Sequence, residues 1–508
     1  MLTTKPNKMK NTINDYLLSF ALCFAFLGVL ACSSEKEDPN PVSIKTVVSS
    51  INKIDFESKE TTVEITINSN ATNWTLSNPA SWIKLSQAVG TSGSTIVKIT
   101  ASENVDTAVR NTVLKLTSTE GNASEITVSQ AAGAVAGLYP SYNTNPIASD
   151  ASGMGSSAVE LAAKIKLGWN IGNTLEATGG ETAWGNPKVT KELIDAVKAK
   201  GFNAIRIPCS WNQNLENAST AKIKTEWLNR VKEVVQYCVD NDMYVLVNIH
   251  WDGGWLENNI TEAKKVENNA KQKAFWEQIA THLRGFDEHL LFASANEPAV
   301  EDAAQMAVLT SYHQTFIDAV RSTGGKNASR VLVVQGPTTD IEKTNKLMTT
   351  LPVDKVTGRM MVEVHYYSPW NFAGLTKDET WGKMFYYWGN GFHSTTDTER
   401  NATWGEEADL EKNFKLMKTQ FVDKGIPVLL GEFGAIRRTT LTGDALTLHL
   451  NSRAYYLKTV VKTAKANGLL PFYWDEGSIG DKGFGIFNRS NNTVFDTQAL
   501  NALIEGLQ

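Results

Sequence analysis

The spacing of hydrophobic positions divides the chain into regions of different texture. From about 46 to 132 the apolar residues alternate with polar ones in short runs: Val63-Glu-Ile-Thr-Ile67, Ile96-Val-Lys-Ile99, Val113-Leu-Lys-Leu116 and Ile126-Thr-Val128. Asn, Ser, Gly and Thr separate these runs. A period of two marks half-buried strands, and this spacing predicts a small immunoglobulin-like β-sandwich over 46–133. Residues 134–155, rich in Ala, Gly, Ser, Asn and Pro, read as a linker.

From about 156 onward apolar strands alternate with amphipathic helices, for which 223–241, 267–285, 302–324 and 451–467 give the clearest patterns. Glycine marks the joints at Lys200-Gly201-Phe202, Lys424-Gly425-Ile426 and Asn467-Gly468-Leu469. A glycine closing a helix and leading straight into a strand is typical of βα units. Eight strands are predicted: 166–173, 202–208, 244–250, 290–297, 330–336, 361–367, 428–433 and 470–475. Eight βα units define a (β/α)8 TIM barrel over 156–508. The fold class is therefore α/β, with a small all-β domain in front.

The first residues follow another logic. Lys5, Lys8 and Lys10 precede the apolar run 16–31, which ends in Val29-Leu30-Ala31-Cys32. The run is short for a membrane span but fits a signal-peptide core, with Met9 a plausible alternative start. Its end resembles a bacterial lipobox. The resemblance implies a signal peptide over 1–31, lipidation of Cys32 and a tether over 32–45. The acidic stretch Ser33-Ser-Glu-Lys-Glu-Asp38 resembles the surface-export signal of Bacteroidetes lipoproteins. An outer-membrane lipoprotein exposed at the cell surface is expected, touching the membrane through its lipid alone; an uncleaved signal anchor is the rival. Of four cysteines, Cys209 and Cys238 remain after processing, and nothing in their spacing requires a disulfide.

Composition narrows the partners. Lys and Arg total 49 against 54 Asp and Glu, for a net charge of −5, and no basic run stands out. A nucleic-acid partner is therefore not expected. The 14 Trp suit a sugar-binding cleft, because pyranose C–H faces stack on indole rings. A monomer is expected.

A TIM barrel carries its chemistry at the C-terminal ends of its strands. Those ends hold Asn173, Arg206, His250, Asn296-Glu297, His365, Tyr367, Glu432 and Trp474. Two carboxylates amid Asn, His, Tyr, Arg and Trp suit glycosidic cleavage, which needs a proton donor and a nucleophile or base around one anomeric carbon. Asn296-Glu297-Pro298 and Gly431-Glu432-Phe433-Gly434 resemble the acid/base and nucleophile motifs of glycoside hydrolase family 5. Leu167–Leu175, Gly201–Pro208, His365-Tyr-Tyr367 and Tyr473-Trp474 agree with that family. Glu181-Thr-Ala-Trp-Gly-Asn-Pro187 is similar to its subfamily 4 of endo-glucanases and xyloglucanases.

The resemblance implies Glu297 as acid/base, protonated near neutral pH, and Glu432 as nucleophile, kept ionised by Arg206 and Tyr367. It implies Asn296 on the sugar 2-hydroxyl, His250 and His365 as orienting groups, and Trp474 as the floor of the cleavage subsite. Many members have a second histidine where this chain has Trp251. Trp251, Trp255, Trp370, Trp381 and Trp388 lie in the loops after strands three and six, and at least two are expected to be glucosyl platforms. Asn173 and Arg206 complete the expected substrate and support set.

Residues around Trp74, Ser81–Leu85, Arg110 and Ile126–Gln130 resemble a BACON module, read as a spacer with Trp74 and Trp82 more suited to a core than to a sugar platform. No metal is expected: Glu363 and His365 share a strand face but lack a third ligand and any His-Glu-x-x-His pattern. A phosphate at Gly477–Gly483 is opposed by Asp475 and Glu476, and no cofactor is expected. The reading is a retaining endo-β-1,4-glucanase acting on a β-glucan, foremost xyloglucan. Cellulose or mixed-linkage glucan are alternatives. β-Mannanase is a rival, and a non-catalytic glycan-binding lipoprotein is the reading from another class.

Overall fold

The computed structural model describes residues 44–104, 106, 108–132 and 137–508. The signal peptide, Cys32 and nearly all of the tether lie outside the described residues. The described residues form two compact units, one up to 132 and one from 137 onward.

The first unit is a seven-stranded sheet. Its central strand Thr61–Ser77 pairs antiparallel with Val89–Ala101, Arg110–Ser118 and Val47–Ser49. Trp74 is buried in this unit, and its indole N–H donates to the carbonyl of Thr91 at 3.2 Å. Gly90 makes room for it: a Cβ there would stand 2.2 Å from the ring. Trp74 is thus a core anchor, while Trp82 is half-buried with the Arg110 guanidinium 4.6 Å from its ring centre.

The second unit is a closed parallel barrel. Its strands, in chain order, are β1 (Gly168–Ile171), β2 (Ala204–Ile207), β3 (Tyr244–Asn248), β4 (Leu290–Ala293), β5 (Leu332–Gln335), β6 (Met360–Tyr366), β7 (Val428–Phe433) and β8 (Leu469–Asp475), with β8 pairing back to β1. A main helix follows each strand: α1 (Lys191–Ala199), α2 (Thr225–Asp240), α3 (Glu262–Leu283), α4 (Ala303–Ser322), α5 (Ile341–Leu347), α6 (Glu407–Gln420), α7 (Gly443–Ala466) and α8 (Thr497–Glu505). Helices α3 and α7 begin several residues before their apolar patterns do. The first turn of α3 is mostly exposed and polar, and that of α7 opens on Gly443-Asp444 with Leu446 and Leu448 only partly buried, so no clean hydrophobic repeat announces either.

Period-two alternation sorts the barrel interior into layers. Leu246, Leu291, Val333, Met361, Leu429 and Phe472 form an apolar floor with the short helix Ala158–Lys164, which starts in a Ser157–Glu160 capping box. The next inward positions toward the strand C-termini are polar: Asn170, Arg206, Asn248, Gln335 and Glu363, all fully buried. Glycines admit the bulk of this packing. A Cβ on Gly168 would lie 2.0 Å from the Phe472 ring, and one on Gly431 would lie 2.0 Å from the Glu363 carboxylate.

The segment expected as linker is shorter than 134–155. Tyr139 and Tyr142 pack against the barrel core. The buried carboxylate of Glu277 accepts the Tyr142 N–H at 2.6 Å and the Ser141 hydroxyl at 3.1 Å. Ile147–Ser149 pairs with Gly324–Gly325. Its Ser and Asn content signals a loop, but those polar groups satisfy a buried charge, and residues 139–155 belong to the barrel unit. Cys209 and Cys238 are both buried and free; Cys238 lies on the inner stripe of α2 with Val231 and Val234.

Candidate active site

The polar layer leads into a cluster at the strand ends. Arg206, on β2, is its hub. Its guanidinium donates from Nη1 to Glu432 at 2.8 Å and to Asn170 at 3.0 Å, and from Nη2 to Asn296 at 2.8 Å. Nε lies 2.8 Å from Glu363, an ion pair without hydrogen-bond alignment. Asn170 itself donates to the carbonyl of Gly431, tying β1 to β7.

A register shift between β6 and β7 places His365 opposite Glu432. His365 Nδ1 is 2.7 Å from Glu297 and 3.7 Å from Glu432, while Nε2 is 3.2 Å from Glu363. Gln335 donates to Glu363 at 2.6 Å, and the Tyr367 hydroxyl donates to Glu432 at 3.0 Å. Glu297, His365 and Glu432 each offer an atom within 4.8 Å of the others. This close pairing of two carboxylates suits double displacement, in which the carboxyls stand ~5–5.5 Å apart, better than single displacement, which sets them ~6.5–9.5 Å apart.

The charges follow from burial and from these partners. Burial raises Glu363, but Arg206 and His365 outweigh it and hold the carboxyl below its ordinary range. Burial works against charge on His365 too, yet Glu432, Glu297 and Glu363 push it up to about 10. Burial likewise raises Glu297, but the His365 hydrogen bond and the Arg206 charge bring it below the usual range. Glu432 is raised, chiefly by burial, despite His365 and Arg206. In the substrate-free site these charges therefore favour the proton on His365 over the expected proton on Glu297. The reason is a pairing invisible in sequence: His365 touches three carboxylates at once.

The aromatic residues divide. Trp474 lies parallel to His250, with ring centres 6.0 Å apart at 7°. Gly172 makes room for that indole, since a Cβ would come within 2.8 Å. His250 is bonded to Asn248 at 3.2 Å and is kept neutral by burial and by the nearby Arg206 and His365 charges. It supports the aromatic floor, and no hydrogen bond joins it to either carboxylate among the described residues. Trp251 and Trp370 are nearly half exposed, and Trp381 is 64% exposed. Trp255 instead braces its loop: its N–H donates to Asp252 at 2.8 Å, with Lys271 4.6 Å from its ring centre. Trp388 is fully buried and donates to the Gly405 carbonyl. Asn173 turns the chain after β1 with φ of 57°, its backbone held by Glu176 and Asn186.

Beyond Tyr367 a cavity of about 520 Å³ is lined by His365, Trp370, Trp404, Asp340 and Lys412. Trp404, half exposed in a long loop, carries no sequence signal of its place there. Asn170, Gln335 and Thr339 were likewise unanticipated; the Thr339 hydroxyl donates to Glu297 at 3.4 Å. Glu363 is legible on the inward face of β6, two residues before His365; the structure pairs it with Arg206 and His365. Inward alternation along β1 and β5 could have found Asn170 and Gln335.

Fold and site together define a glycoside hydrolase. Residues 170–479 match the cellulase model of glycosyl hydrolase family 5, and residues 72–131 match BACON, an N-terminal domain. The chain belongs to glycoside hydrolase family 5. It is 34% identical to a xyloglucan-specific endo-β-1,4-glucanase of Bacteroides ovatus over 505 residues, 96% of each chain. Among solved structures it resembles the Bacteroides ovatus family 5 xyloglucanase in complex with a XXXG heptasaccharide, with a TM-score of 0.68 and 32% identity over 91% of this chain and all of that one. It also resembles a broad-specificity endoglucanase from Bacteroides salanitronis, with a TM-score of 0.63 and 33% identity over 72% of this chain and 98% of that one.

Proposed function

We propose that the protein is a retaining endo-β-1,4-glucanase whose preferred substrate is xyloglucan, anchored at the outer cell surface through lipidated Cys32. The observation that carries the reaction is the pair Glu297 and Glu432, at the ends of β4 and β7, with oxygens within 4.8 Å. Exposed Trp251, Trp370 and Trp404 fit a polysaccharide chain lying across the barrel mouth. The full-length similarity to a xyloglucan-specific relative supports the substrate. The anchor rests on the Val29-Leu30-Ala31-Cys32 sequence.

In this reading Glu432 attacks the anomeric carbon while Glu297 protonates the departing glycosidic oxygen. The glycosyl ester removes the charge of Glu432. As that charge is lost, the proton of His365 crosses the 2.7 Å hydrogen bond to Glu297 and becomes the one delivered to the departing oxygen, which leaves His365 neutral and Glu297 ionised. In the second step Glu297 takes a proton from water as the water oxygen displaces Glu432. Asn296, fixed by Arg206, holds the 2-hydroxyl, and Trp474 supports the ring.

The test is a panel of xyloglucan, carboxymethyl cellulose, mixed-linkage glucan, glucomannan and galactomannan, with viscosity followed beside reducing ends. Xyloglucan should give the highest kcat/KM, a rapid viscosity loss and a first-formed β-anomer. Higher efficiency on galactomannan would overturn the substrate, and an initial α-anomer would overturn the mechanism.

A further inference from the structure

Glu257 lies in the loop after β3 and has no ion-pair partner among the described residues. Its carboxylate Oε2 accepts the backbone N–H of Glu297 at 3.0 Å and the side-chain N–H of Asn296 at 3.4 Å. Its own carbonyl accepts the N–H of Ala299 at 2.9 Å. One residue thus holds three positions of the Asn296-Glu297-Pro298-Ala299 segment. From the other end of the same amide, Arg206 Nη2 donates to Asn296 Oδ1 at 2.8 Å, which turns the amide N–H2 toward Glu257.

This is an unusual setting for a carboxylate. A buried acid is ordinarily matched by a cation or by neutral donors that have no other task. Here the donors come from the segment that carries Glu297, the charges of Glu297 and Glu432 both oppose ionisation of Glu257, and Arg206 bonds the far end of the Asn296 amide. We propose that Glu257 is a positioning residue of the reaction: it fixes the backbone of Glu297 and the amide of Asn296, and its negative charge makes Glu297 and its hydrogen-bond partner His365 keep the proton they share to higher pH. This rests on the reading of Glu297 as the acid/base. The physical basis of the second part is like-charge coupling, since the last proton leaves two adjacent carboxyls at higher pH than it would leave either alone. Burial, together with the Glu297 and Glu432 charges, pushes Glu257 itself to about 7.

The variants Glu257→Gln and Glu257→Ala separate the two effects. Glutamine keeps the size and one acceptor oxygen but not the charge. Carboxyl 13C NMR titration of the intact chain should show the Glu297 midpoint lowered by about half to one pH unit in E257Q. The alkaline limb of kcat/KM on a soluble β-glucan should move down with it. E257A should lose about tenfold to 10²-fold in kcat/KM, because Asn296 and the Glu297 backbone both lose their acceptor, whereas E257Q should keep most of it near the optimum. Coincident Glu297 titrations in wild type and E257Q would overturn the proposal, and so would an unshifted alkaline limb. A wild type that cleaves no β-glucan would sink the functional reading instead, and the NMR titration would still decide whether Glu257 acts on Glu297. Should E257A fail to fold, the E257Q titration decides alone.

Discussion

The floor and the rim of the barrel are made by the same strands, two residues apart. At the floor, Leu246, Leu291, Val333, Met361 and Leu429 point inward and meet only other apolar groups. One step further along β3, β5 and β6 the inward residues are Asn248, Gln335 and Glu363, while β2 contributes Arg206. The backbone geometry is common to both layers, so the difference is one of energetics. The floor gains stability from burial, at about 25 cal/mol per Å² of apolar surface. The rim packs two cations against three carboxylates, of which Glu297 alone keeps substantial exposure, an arrangement that is at best neutral for stability. The lower layer therefore makes the fold, and the upper layer is retained for chemistry.

The sharpest way to break this comparison is to remove the nucleophile. Glu432→Ala should lower kcat by about 10⁴-fold or more, while its melting temperature stays near that of wild type, because Glu432 faces the open cleft and Arg206 keeps Glu363, which is wholly out of water. Added azide should restore turnover and give a product of inverted anomeric configuration. A melting temperature that fell as far as the activity did would mean that Glu432 is part of the structural core.

Glu363→Gln tests whether the rim is a network. Glutamine keeps the shape but removes the carboxylate that faces Arg206 and His365. Loss of one partner of a buried pair costs about 3–5 kcal/mol, and activity should fall by about 10²-fold as Arg206 and His365 shift. The pH dependence carries a sign. His365 is raised from 6.5 to about 10 in the folded chain. Its contribution to stability is therefore complete below about 6.5 and disappears as pH rises through about 10. Thermal denaturation between pH 6 and 10 should show that decline, and a His365→Asn variant should show a flatter curve.

What could be read from the sequence follows the same division. Repeated strand-and-helix texture gave away all eight strands, because period and punctuation are local properties. Glu297, Glu432, Arg206, His365 and Tyr367 were legible because strand ends of such a barrel converge. The ownership of the proton was not legible, because it depends on His365 reaching Glu297, Glu363 and Glu432 together across three strands. In sequence Trp388 cannot be told from the other loop tryptophans for a similar reason. A loop indole has no period, and only the packing of Trp388 against Tyr456 and its bond to Gly405 show it to be a brace.

At the floor the expected effects reverse. Leu291→Ala removes a fully packed side chain from the apolar layer and should cost about 2–5 kcal/mol of stability. Because the rim is held by its own hydrogen bonds, kcat/KM per folded molecule should change by less than about twofold. Chemical denaturation read beside initial rates well below the transition checks both. A large kcat loss in a fully folded population would show that floor packing is transmitted to the carboxylates.

The smallest effect is expected between the two units of the chain. Deleting 32–133 removes the whole β-module, yet every side chain placed around Glu297 and Glu432 lies beyond 160. Hydrolysis of soluble glycan by the purified truncated enzyme should stay within about twofold of the full chain, as expected for separately folded domains. Extending the deletion through 155 should not be as mild. Glu277 would then lose the Ser141 hydroxyl and the Tyr142 and Asn143 N–H groups, keeping only Lys273 at the barrel surface. A buried carboxylate stripped of its donors costs about 1–3 kcal/mol, and the loss of Tyr139 and Tyr142 from the core adds to it. The longer deletion should therefore melt several degrees lower, with its kcat per folded molecule intact. If the short deletion alone cut catalytic efficiency severely with the barrel still folded, the β-module would have a direct part in handling substrate, and the division between a spacer and a self-sufficient barrel would fall.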